Sequence, residues 1–425
     1  MTTLLLALFA VTMLMGVPIS IAMGLSAAVV IVLNDLPVAV LAQRSVNALD
    51  STPLLAVPLF IFAANLLNVT GVTRHLFDLI RILVGRIRGG VAQVTVLVSL
   101  VFSGISGAAL ADIGALGSMQ IKMMRERGYR DEFSAGITMA AATIGPIFPP
   151  SIPIIIFATA ANVSAVKLLL AGIVPALIIT ALLMIQIAVM ARLQNLPRDE
   201  TVPSLSELGR QFALSLPALL APVLLIGGLL SGLFGPTEVA GITVVYAILI
   251  GRFFYHQLSW TGFVGAARET VEATANVLFI VASAALFAWV LTIDQVPARA
   301  AELLLGLSTD PIVLLFIVNG LLLVAGMFLE SIAAILIIAP IVTPILTMAG
   351  VDPIQLGIVF VLNLMIGLLT PPVGMSLYMV SIVAKMPLPT VVSGVLPFLI
   401  PLLLSLLVVT LVPAASTWLP GLLMK

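Results

Sequence analysis

The chain is predicted to be an all-α polytopic membrane protein made of two copies of one unit in opposite orientations. Three observations carry this. Its 425 residues are 61% apolar and only 8% charged, with mean hydropathy +1.28, far outside the composition of soluble domains. Apolar runs near the roughly 20 residues needed to cross a bilayer fill almost its whole length. Within two of them, Gly145-Pro146-Ile147-Phe148-Pro149-Pro150 and Gly367-Leu368-Leu369-Thr370-Pro371-Pro372 lie 222 residues apart. Proline removes an amide donor and clashes with the preceding turn, so each helix should break inside the membrane. Hydrocarbon accepts unpaired backbone only where it lines a protein cavity. Paired broken helices in two halves of one chain point to the binding site of a secondary transporter.

Composition excludes several other classes. Net charge is zero, so no basic surface argues for nucleic acid. There are no cysteines, which removes disulfides, thiol chemistry and thiolate metal sites. His75 and His256 are too few for a histidine metal centre. Met1-Thr2-Thr3 followed by apolar residues lacks the basic region and cleavage site of a secretory signal and is expected to begin a retained helix. No Gly-x-x-x-x-Gly-Lys-Ser/Thr loop occurs. No paired carboxylates, metal cluster or nucleophile–base set appears either, so an enzyme is not expected.

In chain order, the expected spans are 4–33, 52–70, 133–161, 166–191, 214–234, 237–254, 273–293, 354–384 and 389–412. Two further apolar stretches, 90–121 and 313–348, would reach about 48–54 Å as single helices. That is too long for one crossing and too short for two, so each is expected to be a re-entrant hairpin. Charge supports this. Arg74, Arg81, Arg86 and Arg88 precede the first stretch, and Lys122, Arg125, Arg127 and Arg130 follow it, which places both ends in the cytoplasm. The second stretch is flanked by acidic or neutral segments, Asp294 to Asp310 and Gly350 to Asp352, so both its ends are expected in the periplasm. Short amphipathic segments at 37–50 and 261–273, containing Arg44 and Arg268, are expected to lie along the interface.

The repeat extends beyond the prolines. Gly128 and Gly350, Gly172 and Gly394, and Pro175 and Pro397 share the same offset. Residues 1–191 form the first expected repeat, with its hairpin at about 90–121 and broken helix at about 133–161. Residues 237–425 form the second, with its hairpin at about 313–348 and broken helix at about 354–384. Between them, 192–236 supplies a charged cytoplasmic loop and a linking helix. Each repeat has an even number of crossings, so the linking helix is what inverts the second copy.

The hairpin tips are expected near 104–108 and 326–331. A tip beside an unwound helix offers carbonyls for a cation and helix N-termini for an anion. Ser106, Ser331 and Thr370 carry hydroxyl oxygens suited to a desolvated Na⁺, and the clustered carboxylates preferred by calcium are missing. For Thr370 the competing role is a bond back to its own helix. Asp112 and Glu330 are acids inside apolar hairpins. Three roles stand open for them: complementing a helix dipole, coupling to protons, or orienting a site residue. Asn65, Asn319 and Asn363 are buried polar candidates. Trp260, Trp289 and Trp418 fall near span ends, as interface anchors do.

These residues resemble a known family, the large membrane subunit of tripartite ATP-independent periplasmic (TRAP) transporters. The resemblance is carried by Pro58 to Asn65, Phe102-Ser103-Gly104-Ile105-Ser106-Gly107 with Ala111-Asp112, Ile144 to Pro153, Gly326 to Ala334, and Gly367 to Gly374. It implies an elevator-type protein in a bacterial inner membrane, whose transport domain slides against a scaffold. It implies Na⁺-driven uptake of a carboxylate such as a C4-dicarboxylate or sialic acid, delivered by a periplasmic binding protein, together with a small four-helix membrane subunit. One implied sodium site falls at Ser106, Ala108, Gly145, Phe148 and Pro150, and the other at Ser331, Gly367, Thr370 and Pro372. Ala108 stands where many members have serine, so a hydroxyl is missing there. Substrate is expected between the tips, near Gly104, Gly107, Glu330, Pro149 and Pro371. The alternative is a stand-alone sodium- or proton-coupled anion symporter that needs no binding protein.

Overall fold

Apolar segments fold as helices in a membrane because each backbone donor then finds its acceptor within the segment. The computed structural model describes residues 1–198 and 204–424, and no strand occurs among them. Eight helices among the described residues are long and apolar enough to cross a membrane, from Thr52–Val69 to Leu388–Leu411.

Four expectations change. The span expected at 4–33 is two helices, Thr2–Leu14 and Ile19–Leu33. Gly16 between them has φ +79, and Pro18 cannot continue the first helix. The interface segment expected at 261–273 does not end there; it continues into one helix, Trp260–Ile293, of 34 residues. Two helices that hydropathy did not single out, Val72–Val84 and Val296–Leu307, each precede a hairpin. The linking helix is longer than expected, Leu205–Leu230, and Ser204 caps it by accepting from the Glu207 amide at 3.1 Å. Ser204-Leu205-Ser206-Glu207 is a capping-box pattern that marks this start in the sequence. Part of the loop before it, 199–203, lies outside the described residues.

The interface arm expected at 37–50 is the helix Ala39–Leu49, which buries none of its side chains. It lies along Trp260–Ile293, with the Arg44 guanidinium 5.9 Å from the centre of the Trp289 ring, close enough for a cation–π attraction. Just beyond that long helix, Asp294 accepts from the Thr2 hydroxyl and amide. These bonds hold its carboxyl down to about 2.

The centre of the protein is formed by the two broken helices. Asp131–Ala142 and Pro353–Leu368 are buried on nearly every face, which their all-round apolar sequences allow. The Phe157 and Phe360 rings meet at 5.2 Å and join the two. Where lipid is the alternative solvent, small residues let backbones approach closely. Gly136 lies against the Gly394 carbonyl, and Gly394 lies against the Glu132 carbonyl, so Asp131–Ala142 and Leu388–Leu411 touch backbone to backbone. A Cβ on Gly394 would sit 2.8 Å from the Glu132 carbonyl carbon, and backbone cannot yield there. Gly394→Ala is therefore expected to destabilise by about 1–3 kcal/mol, read as a lower Tm in detergent. Gly227→Ala, which meets open space, is the control. Equal Tm values for the two variants would contradict this packing.

Candidate functional site

The first hairpin rises as Gly90–Ser106, turns at Gly107-Ala108 and returns through Ala109–Asp112, a π-helical turn at Ile113–Gly117 and Ser118–Glu126. The second rises as Pro311–Phe328, turns at Leu329-Glu330 and returns as Ser331–Met348. Both turns fall within the expected tips. The arms of the second have 18 residues each, about 27 Å, because the turn takes only two. Length alone therefore gives them nearly a full crossing, and the re-entrant reading rests on flanking charge.

The first tip docks on the first break. Gly107 has φ +66 and lies against the Pro150 carbonyl oxygen. Its own carbonyl accepts from the Ile152 amide at 3.3 Å. The Ser106 hydroxyl donates to Asp112 Oδ1. Asp112 Oδ2 is buried with no hydrogen-bond partner, and a Cβ on Gly145 would stand 2.5 Å from it. Phe148 packs beside Gly104. The carbonyls of Gly145, Phe148 and Pro150 accept no hydrogen bond from any described residue. Ser151 braces the break, accepting from the Ile154 amide and donating to the Pro146 carbonyl. Ser106 and Gly145 thus lie beside the Asp112 carboxylate, while Phe148 meets the tip at Gly104 and Pro150 meets it at Gly107, and Ala108 is half-buried at the turn.

The second tip is built differently. The Ser331 hydroxyl donates to Glu330 Oε1 at 2.8 Å, while Glu330 Oε2 accepts from the Ile332 and Ala333 amides at 2.8 and 3.3 Å. Glu330 is thus an N-cap that also orients the Ser331 hydroxyl, and it fills the helix N-terminus expected to face an anion. Gly367 meets Gly326 at the backbone, 2.6 Å from an added Cβ to the Gly326 Cα. Thr370 Oγ1 donates to the Ile366 carbonyl at 2.8 Å, the competing bond considered for it. Thr370 and Pro372 are tied to the hairpin through Gly374, whose amide donates to the Met327 carbonyl at 3.0 Å. Pro372 is exposed and Pro371 half-buried, whereas Pro149 and Pro150 are buried.

Ser106, Ser331 and Thr370 all donate their protons within the protein. A hydroxyl so committed presents only lone pairs elsewhere. Asn363 donates to the carbonyl and side-chain oxygen of Asn319, which donates to Thr410. These asparagines brace Pro353–Leu368 against Pro311–Phe328 and Leu388–Leu411, away from the tips.

One cavity of about 330 Å³ is lined by both tips, through Ser106 and Ala108 on one side and Glu330 and Ser331 on the other. Of the residues expected near substrate, Glu330 lines it. Gly104 is packed on Pro222 and Gly107 on Pro150, and neither these two nor Pro149 and Pro371 belong to its wall. The reason is steric, since a glycine that permits a close backbone approach is covered by what approaches it. Two polar wall residues were not anticipated, Asn68 and Glu269, and Asn65 joins them. An acid within a long apolar helix was the signal for Glu269.

The family model for the tripartite ATP-independent periplasmic transporter, DctM component, matches residues 6–415. The chain belongs to this family. It is 39% identical over 411 residues to the sialic acid TRAP transporter large permease protein of Vibrio cholerae, covering 96% of this chain and 95% of that one. It is 40% identical over 400 residues to the C4-dicarboxylate TRAP large permease of Pseudomonas aeruginosa, covering 94% and 93%. To the 2,3-diketo-L-gulonate TRAP large permease of Escherichia coli it is 37% identical, covering 93% and 92%. Among solved structures, the YdaH transporter of Alcanivorax borkumensis shares the fold, with a TM-score of 0.64 at 18% identity over 90% of this chain and 88% of that one. This TRAP large permease is accordingly a transport component and a multi-pass protein of the bacterial inner membrane.

Proposed function

We propose that this TRAP large permease takes up an organic acid by sodium coupling, with a small four-helix membrane subunit and a periplasmic binding protein as partners. The observation that carries the reading is a cavity bounded by both hairpin tips. A solute held there touches both halves of the chain at the breaks in their helices.

The residues fit a sodium ion at the first tip. Acceptors are present at this tip: the Ser106 oxygen, the unbonded carbonyls of Gly145, Phe148 and Pro150, and the orphaned Asp112 Oδ2. An orphaned buried carboxylate oxygen calls for a cationic partner. It also compensates for the hydroxyl missing at Ala108. Ser331, Gly367, Thr370 and Pro372 would hold a second ion with one carboxylate fewer. Bound sodium supplies positive charge beside the tips, which favours an anionic solute. Ala109, Leu110 and Ala111, at the start of the return arm, also line the cavity. We infer an inverted-repeat topology with a sliding transport domain, supported by the recurring order of amphipathic helix, hairpin and broken helix in each half.

The test is uptake into proteoliposomes holding the chain and its small subunit, with the binding protein and a panel of organic acids, with and without an inward sodium gradient. Ser106→Ala and Thr370→Ala are expected to raise the half-saturating sodium concentration about tenfold, the loss of about one hydrogen-bond-scale contact of 1.4 kcal/mol each. Uptake indifferent to sodium would remove both ion sites. Sodium-driven uptake without the binding protein would favour the stand-alone symporter.

A further inference from the structure

The cavity has two unlike walls. At the tips, Ala109, Leu110 and Ala111 line the cavity, while the Glu330 carboxylate is already engaged with Ser331, Ile332 and Ala333. The second wall comes from two packed helices, Ala56–Val69 and Trp260–Ile293. Helical spacing puts Ile61, Ala64, Asn65 and Asn68 on one face of the first helix, and Glu269, Ala273 and Val277 on one face of the second.

This second wall carries acceptors beside the Asn68 amide. Asn65 Nδ2 is 3.1 Å from Thr270 Oγ1, and the Thr270 proton goes to the Ala266 carbonyl at 2.7 Å. Asn65 is therefore the donor in their bond, which leaves its Oδ1 free to accept. Glu269, adjacent to Thr270, is exposed and has no hydrogen bond or ion pair among the described residues. The neighbouring Arg268 is paired with Glu272 at 3.1 Å. No lysine, arginine or histidine lines the cavity.

A solute carboxylate at the tips lies beside the sodium proposed there. A second carboxylate beside Glu269 would meet an uncompensated carboxylate with no cationic side chain in the lining, and like charges repel. A hydroxyl or ammonium there would find acceptors on both Asn65 and Glu269. We propose that Glu269 is a specificity-determining residue of the transport site, accepting a hydrogen bond from a hydroxyl or ammonium group of the substrate and rejecting a second carboxylate. The favoured substrate class is then a hydroxylated or amino monocarboxylate. This rests on the transport function proposed above.

The test uses ligand-induced thermal stabilisation of the full chain purified with its small subunit, in sodium. Matched pairs separate the classes: 4-hydroxybutyrate against succinate, and gluconate against glucarate. The wild type is expected to bind the monocarboxylate of each pair about tenfold more tightly, the factor equal to about 1.4 kcal/mol. Glu269→Gln, nearly isosteric, is expected to erase that preference and Glu269→Lys to reverse it. Preference for the dicarboxylates by the wild type, or an unchanged ranking in Glu269→Gln, overturns the assignment while leaving transport intact. Failure of the wild type to bind either monocarboxylate overturns this assignment, whereas the transport reading falls only if the proteoliposomes take up no organic acid.

Discussion

Gly107→Ala is expected to reduce sodium-driven uptake by about a hundredfold, with the protein still inserted in the membrane. Two costs add at this position. An alanine held at φ +66 costs about 1–2 kcal/mol through its Cβ. That Cβ would also press on the Pro150 carbonyl oxygen and lie 3.3 Å from the Ser151 Cα, both backbone atoms of a braced segment, at about 1–3 kcal/mol for overpacking. The tip can relieve the contact only by withdrawing from the break, and Ser106 and Asp112 then move away from Gly145, Phe148 and Pro150. Gly128→Ala isolates the first cost, because Gly128 has φ +79 and meets open space. Uptake by Gly107→Ala equal to that of Gly128→Ala would show that docking of the tip on Pro150 is dispensable.

Asp112→Asn is expected to raise the half-saturating sodium concentration at least tenfold with little change in Tm. The amide keeps the size of the carboxylate and can still accept from Ser106. What it removes is the negative charge, and it turns a donor toward Gly145 where an unpartnered oxygen stood. Asp112→Ala should add a loss of stability of about 1–3 kcal/mol, since the buried Ser106 hydroxyl is left without its acceptor. An unaltered sodium requirement in Asp112→Asn, measured by the same uptake assay, would confine this carboxylate to orienting Ser106.

Much of this was legible before the fold. Glycine and proline at a 222-residue offset marked both breaks because their effect on the backbone is local. The tips were legible for the same reason, as Gly107 at the first turn illustrates. Helix Val72–Val84 escaped because Arg74, Asp78 and Arg81, spaced along one polar face, lower its hydropathy. The continuity of Trp260–Ile293 escaped because Arg268, Glu269 and Glu272 suggested an end where the helix turns a polar face to the cavity and to the Arg268–Glu272 pair. The wall containing Asn65, Asn68 and Glu269 brings together residues about 200 positions apart. Such proximity depends on how helices pack, and neither period nor composition encodes that locally. The Thr370 hydroxyl was weighed in both roles, and its bond to Ile366 is compatible with an oxygen that still faces outward.

The two halves differ in one mechanical respect. In the first, the arm Ala39–Leu49 and the span Thr52–Val69 meet at Asp50-Ser51, with extended backbone at Ser51. In the second, the corresponding stretch is the unbroken 34-residue rod Trp260–Ile293, about 51 Å long. A rod has no joint in which to dissipate a displacement, so a push at its Trp260 end arrives at Ile293 almost undiminished. Any bending between arm and span during the working cycle must therefore concentrate at Asp50-Ser51, which makes that dipeptide the compliant element of an otherwise stiff frame.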